Sequence, residues 1–136
     1  MSFDPYLHFQ GNCRAAMTAY QKIFGGDLQL MPYAEAPDAA PEMKTSDRIM
    51  HSTLRVGDRS IMASDFPPGM QGDPQQAVTI SHEAASIDEA KRLFGQLSDG
   101  GAEIMGFQPT FWSDGFGMVK DRFGTHWMVS SPWRQS

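Results

Sequence analysis

The chain has 136 residues, an apolar share of 40% and a net charge of −5, values typical of one globular domain or two fused halves. Its eleven basic residues are scattered, which argues against a nucleic-acid partner. No apolar run is long enough to cross a bilayer, and the first residues lack signal-peptide features, so we expect neither membrane insertion nor export. Cys13 is the single cysteine, which excludes an internal disulfide and favours a cytoplasmic protein.

The first half of the chain predicts a strand, a helix and three more strands. An apolar run at residues 6–10 predicts the first strand, and Asn12 can cap a helix that ends at Gly25-Gly26. Leu28 and Leu30 alternate with polar residues as a second strand, which a loop over residues 34–47 follows. Residues 49–56 and 60–64 predict a hairpin.

The second half begins after a loop rich in proline and glycine. A strand is predicted at residues 77–82, and Ser86-Ile87-Asp88-Glu89 is a capping box that opens a helix. Gly100-Gly101 ends that helix, as Gly25-Gly26 ends the first one. Further strands are predicted at residues 103–107, 110–113, 116–120 and 126–130.

The two halves repeat each other in the order of their elements, and residues 60–64 parallel residues 126–130 in sequence. We therefore predict a single domain over residues 1–136, built from modules 4–65 and 76–131 and a connecting loop 66–75. A helix covers only one face of its sheet, so the other face needs a partner. Pairing of two modules, within one chain or between two chains, would enclose a cleft.

This order of elements, with its motifs, resembles the PhnB-like group of the vicinal-oxygen-chelate superfamily. The resemblance implies an α+β protein of two βαβββ modules whose curved mixed sheets enclose a cleft, the glyoxalase/bleomycin resistance/dihydroxybiphenyl dioxygenase fold. It also implies a homodimer. The motifs that carry it are Pro5-Tyr6-Leu7-His8-Phe9, Gly11-Asn12-Cys13, Tyr20 with Phe24-Gly25-Gly26, Ile49-Met50-His51, Ile61-Met62-Ala63-Ser64-Asp65, Thr110-Phe111-Trp112 with Phe116-Gly117-Met118, and Asp121-Arg122-Phe123-Gly124 ahead of Trp127-Met128-Val129.

Metal-using members of that superfamily place four ligands, His or Glu, on the first and last strand of each module. Carried over to this sequence, the last-strand positions fall at Met62 and Met128, and the first-strand positions at Pro5 or Tyr6 and at Val78 or Thr79. The thioether sulfur of methionine is a poor ligand for Zn, Ni, Fe(II) or Mn. We therefore expect no metal at these positions, and no other cofactor is expected.

Two histidines are the candidates for hydrogen bonding or acid/base chemistry. His51 begins the third strand and could point into the cleft, where an imidazole can exchange a proton near neutral pH. His8 is the second candidate. The structural alternative is a histidine satisfied by backbone at a strand end. His82 and His126 are interpreted as surface residues.

Aromatic residues and methionines supply the remaining candidates for a ligand site. A hairpin predicted from Thr110 to Met118 carries Trp112, Phe116 and Met118, which can form a stacking wall for a planar ligand. Met62 and Trp127 occupy or adjoin the positions of the lost metal ligands. The alternative for all five is packing in the core or at a dimer interface.

A nucleophile is not indicated. Ser64 has no base placed beside it by the sequence, and Cys13 reads as a buried thiol, although a helix N-terminus can lower a thiol pKa. We therefore expect a metal-free protein that binds a small organic molecule through His51, Met62, Trp112, Phe116, Met118 and Trp127.

The alternatives are of other classes. One is an enzyme of the same superfamily, a lyase, isomerase or dioxygenase that is metal-dependent or uses acid/base chemistry, with His51 and His8 as candidate catalytic residues. Another is a structural dimer without a ligand. The methyltransferase label carried by some relatives finds no support, because the chain lacks a glycine-rich strand-to-helix loop.

Overall fold

The computed structural model describes residues 2–134, and these divide between two compact units, Met1–Gln75 and Gln76–Ser136. Each unit contains a four-stranded mixed sheet and a twelve-residue helix. Between residues 2 and 134, no helix combines the length and apolar character needed to cross a membrane.

The first unit follows the predicted strand–helix–strand–strand–strand order, with two short helices in the loop after the second strand. Its sheet has the order β1-β4-β3-β2, with β1 parallel to β4 and the other pairs antiparallel. Its elements are β1 (Tyr6–Phe9), α1 (Cys13–Phe24), β2 (Asp27–Pro32), a 3-10 turn (Tyr33–Glu35), α2 (Pro41–Lys44), β3 (Ile49–Val56) and β4 (Arg59–Asp65).

One face of this sheet packs against α1. Leu7, Leu54 and Ala63 are buried on that face. Ser52 lies there too, since its hydroxyl contacts the Cys13 sulfur at 3.5 Å and donates to the carbonyl of Ala63 at 2.8 Å. Because side chains alternate along a strand, the odd-numbered residues of β3 and the even-numbered residues of β1 and β4 point to the other face.

The buried carboxylate of Asp65 ties the ends of four elements together. One oxygen accepts the backbone N–H groups of Gly11 at 2.8 Å and Cys13 at 3.0 Å, and the other accepts the N–H of Ile49 at 2.8 Å. The predicted cap, Asn12, makes no side-chain hydrogen bond to the helix. A residue more than fifty positions away therefore satisfies the start of α1, where a negative charge is favourable.

The second unit repeats this arrangement. Its sheet has the order β5-β8-β7-β6, with β5 parallel to β8 and the other pairs antiparallel. The predicted cap is confirmed, because the Ser86 hydroxyl accepts the N–H of Glu89 at 3.1 Å. The returning bond of the capping box differs by one residue, since the Glu89 carboxylate accepts the N–H of Ala85, just before the cap, at 3.2 Å. The elements are β5 (Thr79–Glu83), α3 (Ile87–Ser98), β6 (Ala102–Gln108), β7 (Phe116–Lys120) and β8 (His126–Ser130).

The second glycine of each Gly-Gly pair has a packing role that explains the repeat. A Cβ atom on Gly26 would collide with the carbonyl oxygen of Arg55, and one on Gly101 would collide with that of Lys120. The chain therefore passes too close to a neighbouring strand for any side chain at these two positions.

The strand predicted at residues 110–113 is wrong. Thr110 donates its N–H to the carbonyl of Ser113 at 2.9 Å, which closes a loop rather than extending a ladder. The buried Ser113 hydroxyl then bonds that of Ser131 at 2.8 Å. Aromatic residues favour strands in isolation, but these local bonds hold the segment as a loop. Without this strand each unit is one βαβββ module, so the predicted α+β fold of two such modules is confirmed.

Candidate functional site

The face of the first sheet that points away from α1 carries the candidate histidines. In the strand register Met62 lies between Tyr6 on β1 and Thr53 on β3. His8 follows two residues after Tyr6 on β1, and His51 precedes Thr53 by two on β3, so both histidines belong to this face. Ser64 is paired with His8 in the register but is buried.

The His51 ring is held by hydroxyl groups at both of its nitrogens. The Tyr6 hydroxyl lies 3.0 Å from Nδ1, and the Thr53 hydroxyl lies 3.2 Å from Nε2. The Tyr6 and His51 rings are stacked, with centroids 5.7 Å apart. The tautomer decides which hydroxyl donates to the ring and which accepts from it.

Aromatic rings continue this face beyond His51. The His8 ring lies between those of Tyr6 and Phe66, with centroid distances of 5.2 Å and 5.4 Å. Tyr6 is 39% exposed, so its ring is available to a ligand. We call these residues together the histidine face; its members are Tyr6, His8, His51, Thr53, Met62 and Phe66.

The Pro-rich loop after β4 is fixed beside the histidine face by polar contacts. The Arg48 guanidinium donates to the carbonyls of Phe66 at 2.9 Å and Gln10 at 3.1 Å. The Gln10 side chain donates to the carbonyl of Gly72 at 2.8 Å. These bonds position Phe66 next to His8. Thr53 and Phe66 were not among the predicted site residues, and Tyr6 was named only as a metal position, although it lies two residues before His8 on the same strand and so shares its face.

The second unit has its own sheet face that points away from α3. There Met118 and Met128 are neighbours in the register, and Met128 is also paired with Ser81. Phe116 lies two residues before Met118 and packs edge-on against Trp112, at a centroid distance of 5.2 Å. The indole N–H of Trp112 is buried and has no hydrogen-bond partner among residues 2–134.

Trp127 lies on the opposite face of this sheet. It is 1% exposed, and its indole N–H donates to the buried carboxylate of Asp121 at 2.9 Å. Its register partner on β7 is Val119, which lies on the same face as Gly117, two residues earlier. Gly117 packs against Phe94 of α3, so this is the face that α3 covers. The sequence analysis grouped Trp127 with Met62 and Met118 in a ligand site. The side-chain alternation instead places it in the core beneath α3.

The other histidines and the cysteine are also located. His82 and His126 are half-buried rather than on the surface, and the Nδ1 atom of His126 is buried with no hydrogen-bond partner in the described part of the chain. Burial lowers the pKa of His82, and the nearby Glu89 partly opposes that shift. Burial also raises the pKa of the Cys13 thiol to about 12, so the thiol stays protonated and inert at neutral pH.

The residues at the superfamily's metal positions do not fit a divalent transition metal. Tyr6 and Met62 are neighbours in the first unit. In the second unit the register makes Ser81 the equivalent of Tyr6, not Val78 or Thr79 as the sequence indicated, and Ser81 faces Met128. Across residues 2–134, no three side chains of His, Cys, Asp or Glu are grouped closely enough to hold a metal ion.

The fold is that of glyoxalase/bleomycin resistance proteins. Two solved structures are similar to this chain in fold alone. They are a glyoxylase/bleomycin resistance protein/dioxygenase domain from Frankia sp. EAN1pec and a fosfomycin resistance protein FosX from Mesorhizobium loti. Their identities are 11% and 8% and their TM-scores 0.66 and 0.62. They cover 98% and 95% of this chain and 98% and 90% of their own.

Three further proteins bear on the family to which this chain belongs. The chain is 41% identical to protein PA1353 from Pseudomonas aeruginosa, with a TM-score of 0.89 over 97% of this chain and 98% of that one. It is 34% identical to protein YjdN of Escherichia coli K12, over 96% of this chain and 95% of YjdN. A PhnB protein from Bacillus cereus, named a putative 3-demethylubiquinone-9 3-methyltransferase, shares the fold at 19% identity and a TM-score of 0.77, over 96% of this chain and 99% of that one.

A family model described as 3-demethylubiquinone-9 3-methyltransferase matches residues 1–130. The chain therefore belongs to this family, and it shares its fold with the PhnB protein from Bacillus cereus.

Proposed function

We propose that the protein binds a small organic molecule on the histidine face, without a divalent transition metal. The observation that carries this proposal is the pairing of Met62 with Tyr6 at the position where metal-using relatives need hard donors. Thioether and aromatic side chains beside a hydrogen-bonding imidazole are typical of a site for an organic ligand. Trp112, Phe116 and Met118 form a second candidate surface for a ligand, whereas Trp127 is buried on the other face of its sheet.

The methyltransferase name of the family is not evidence that this chain transfers methyl groups. A methyl-donor site of the nucleotide-binding kind uses a glycine-rich turn between a strand and a helix. Here the link between β1 and α1 has a single glycine, Gly11, and the link between β5 and α3 has none. We therefore do not propose methyl transfer.

Metal content and ligand binding test the proposal separately. Protein purified without chelator should contain well below one equivalent of Ni, Zn, Fe or Mn by elemental analysis, and its melting temperature should not change with EDTA. A bound ligand raises the melting temperature because it stabilises only the folded state. Native mass spectrometry should therefore show a copurified small molecule, or a thermal-shift screen of small aromatics should find one.

A matched pair of methionine variants locates the site. Met62→Ala should abolish the ligand-induced rise in melting temperature, whereas Met70→Ala, at an exposed methionine of the loop, should not. One equivalent of a transition metal that Met62→Ala removes would overturn the proposal. Equal ligand responses in the two variants would place the ligand elsewhere.

A metal-free acid/base lyase or isomerase is the second candidate, because the Tyr6 hydroxyl bonds a ring nitrogen of His51 at 3.0 Å. Such a pair can transfer a proton to or from a bound substrate. Turnover that survives EDTA and disappears in His51→Gln would establish it. For either function we expect a homodimer in the cytoplasm, and analytical ultracentrifugation checks the dimer.

A further inference from the structure

Tyr6, His51 and Thr53 form a continuous chain of hydrogen bonds, in which one imidazole separates two hydroxyl groups. The two contacts, of 3.0 Å and 3.2 Å, occupy both nitrogens of the ring. Both hydroxyl oxygens belong to residues of the histidine face, so each can also meet a ligand.

The protonation state of His51 determines how many hydroxyl hydrogens are available to that ligand. A neutral imidazole has one N–H donor and one acceptor nitrogen. One hydroxyl must therefore donate to the ring, and only the other can donate outward. An imidazolium has two N–H donors and no acceptor, so the Tyr6 and Thr53 hydroxyls then both accept from the ring and both can donate outward. This count is the same for either tautomer of the neutral ring.

We propose that the ligand is an organic anion, with an oxyanion such as a carboxylate bound by these two hydroxyls, and that its binding is coupled to the uptake of one proton at His51. This inference rests on the proposed function, because it concerns the same face. The imidazolium supplies the positive charge that an oxyanion requires, and charge-assisted hydrogen bonds are the stronger ones. The rings of His8 and Phe66 with the Met62 thioether suit the apolar part of the ligand.

The charged groups around His51 leave the charge of a protonated imidazole unbalanced, which favours an anionic ligand. Arg55 lies on the same face of β3, and Asp27, at the far end of β2, is its partner in the register. The strand β4 presents the uncharged Met62 to this face. The Arg48 guanidinium is bound to carbonyl oxygens, and the Tyr33 hydroxyl donates to the carbonyl of Asp65 at 2.9 Å. The other titratable groups of the face are Tyr6 and His8. A ligand carboxylate would therefore supply the counter-charge for a protonated His51.

Benzoate and its neutral analogue benzamide test this inference. Calorimetric titrations at pH 6, 7 and 8, in buffers of different ionisation enthalpy, give the affinity and the number of protons taken up. If the anion binds only with His51 protonated, benzoate affinity falls by up to about tenfold per pH unit on the alkaline side and uptake approaches one proton. Benzamide should bind more weakly and without a pH dependence. Benzoate affinity that does not change between pH 6 and 8, or no proton uptake, would overturn the inference.

Variants assign the effect to the two hydroxyls. Tyr6→Phe and Thr53→Val each remove one outward donor, so each should weaken benzoate binding by about tenfold. Thr45→Val, at an exposed position outside the face, should bind as the wild type does. Unfolding curves verify that each variant folds, and the wild-type pH series remains decisive if one does not.

The methyl resonance of Met62 distinguishes the two proposals. If benzamide perturbs this resonance as strongly as benzoate, with equal affinity, the face binds organic ligands and only the anion inference fails. If neither compound perturbs it at any pH, the anion inference fails, and the copurified-ligand experiment decides the proposed function separately.

Discussion

Replacement of Asp65 by Asn tests how the first unit is held together. Asp65 is 1% exposed, and its carboxylate accepts three backbone N–H groups, those of Gly11, Cys13 and Ile49. An Asn side chain has nearly the same shape but only one acceptor oxygen. If that oxygen keeps the bonds to Gly11 and Cys13, the amide NH2 group must face the N–H of Ile49, and two donors then oppose each other.

The expected loss of stability follows from this geometry. An unsatisfied buried N–H costs about 1–3 kcal/mol, and each bond changed from a charged to a neutral acceptor loses about 1 kcal/mol. Loss of the negative charge at the start of α1 adds about 0.3–1 kcal/mol. These contributions are not additive in full, so we expect Asp65→Asn to lower the unfolding free energy by about 3 kcal/mol, or the melting temperature by roughly 6–12 °C.

Urea unfolding followed by circular dichroism measures the change, and amide hydrogen exchange localises it to Gly11, Cys13 and Ile49. The control is Asp58→Asn, at a turn where the carboxylate is 93% exposed and its pair with Arg59 spans 3.8 Å. That change should cost less than about 0.5 kcal/mol. If Asp65→Asn is as stable as the control and the three amides exchange at wild-type rates, the carboxylate does not organise this unit as described.

Two further predictions concern titrating side chains. Because burial raises the pKa of Cys13 to about 12, a thiol reagent at pH 8 should leave the folded protein unmodified and react only after denaturation. Rapid modification of the native protein would contradict the buried position of this thiol. Burial lowers the pKa of His82 in the folded state, so neutral His82 favours folding above its unfolded pKa, and that contribution declines as the pH falls below this value. His82→Gln should therefore flatten the loss of stability on the acid side of pH 6.5, measured by urea unfolding at several pH values; an unchanged slope would assign the acid sensitivity to other groups.

The local pattern of the sequence predicted most of the secondary structure. The cap at Ser86 formed as expected because its hydrogen bond to Glu89 connects residues close in the chain. Gly25 and Gly100 marked the ends of α1 and α3 for a similar local reason, since glycine accepts their positive φ angles. The repeated order of elements then indicated two βαβββ modules.

Long-range contacts explain where local patterns misled. Residues 110–113 have strand-forming aromatics, but bonds from Ser113 to Ser131 hold them as a loop. Asn12 was a reasonable cap by residue type, yet the chain brings Asp65 to that position. In both cases a partner distant in sequence competed with a local preference and satisfied more buried polar groups.

For the candidate site, the sequence by itself determined the side chains at two equivalent positions, because the internal repeat pairs Met62 with Met128. The family resemblance implies that these are the positions where metal-using relatives have ligands. Only the tertiary structure decided which neighbours accompany them. One residue along a strand changes the face on which a side chain lies, so Trp127 is in the core while Met128 is not. The contact between Tyr6 and His51 joins residues 45 positions apart. It depends on the register of three strands, which periodicity along a single strand cannot supply.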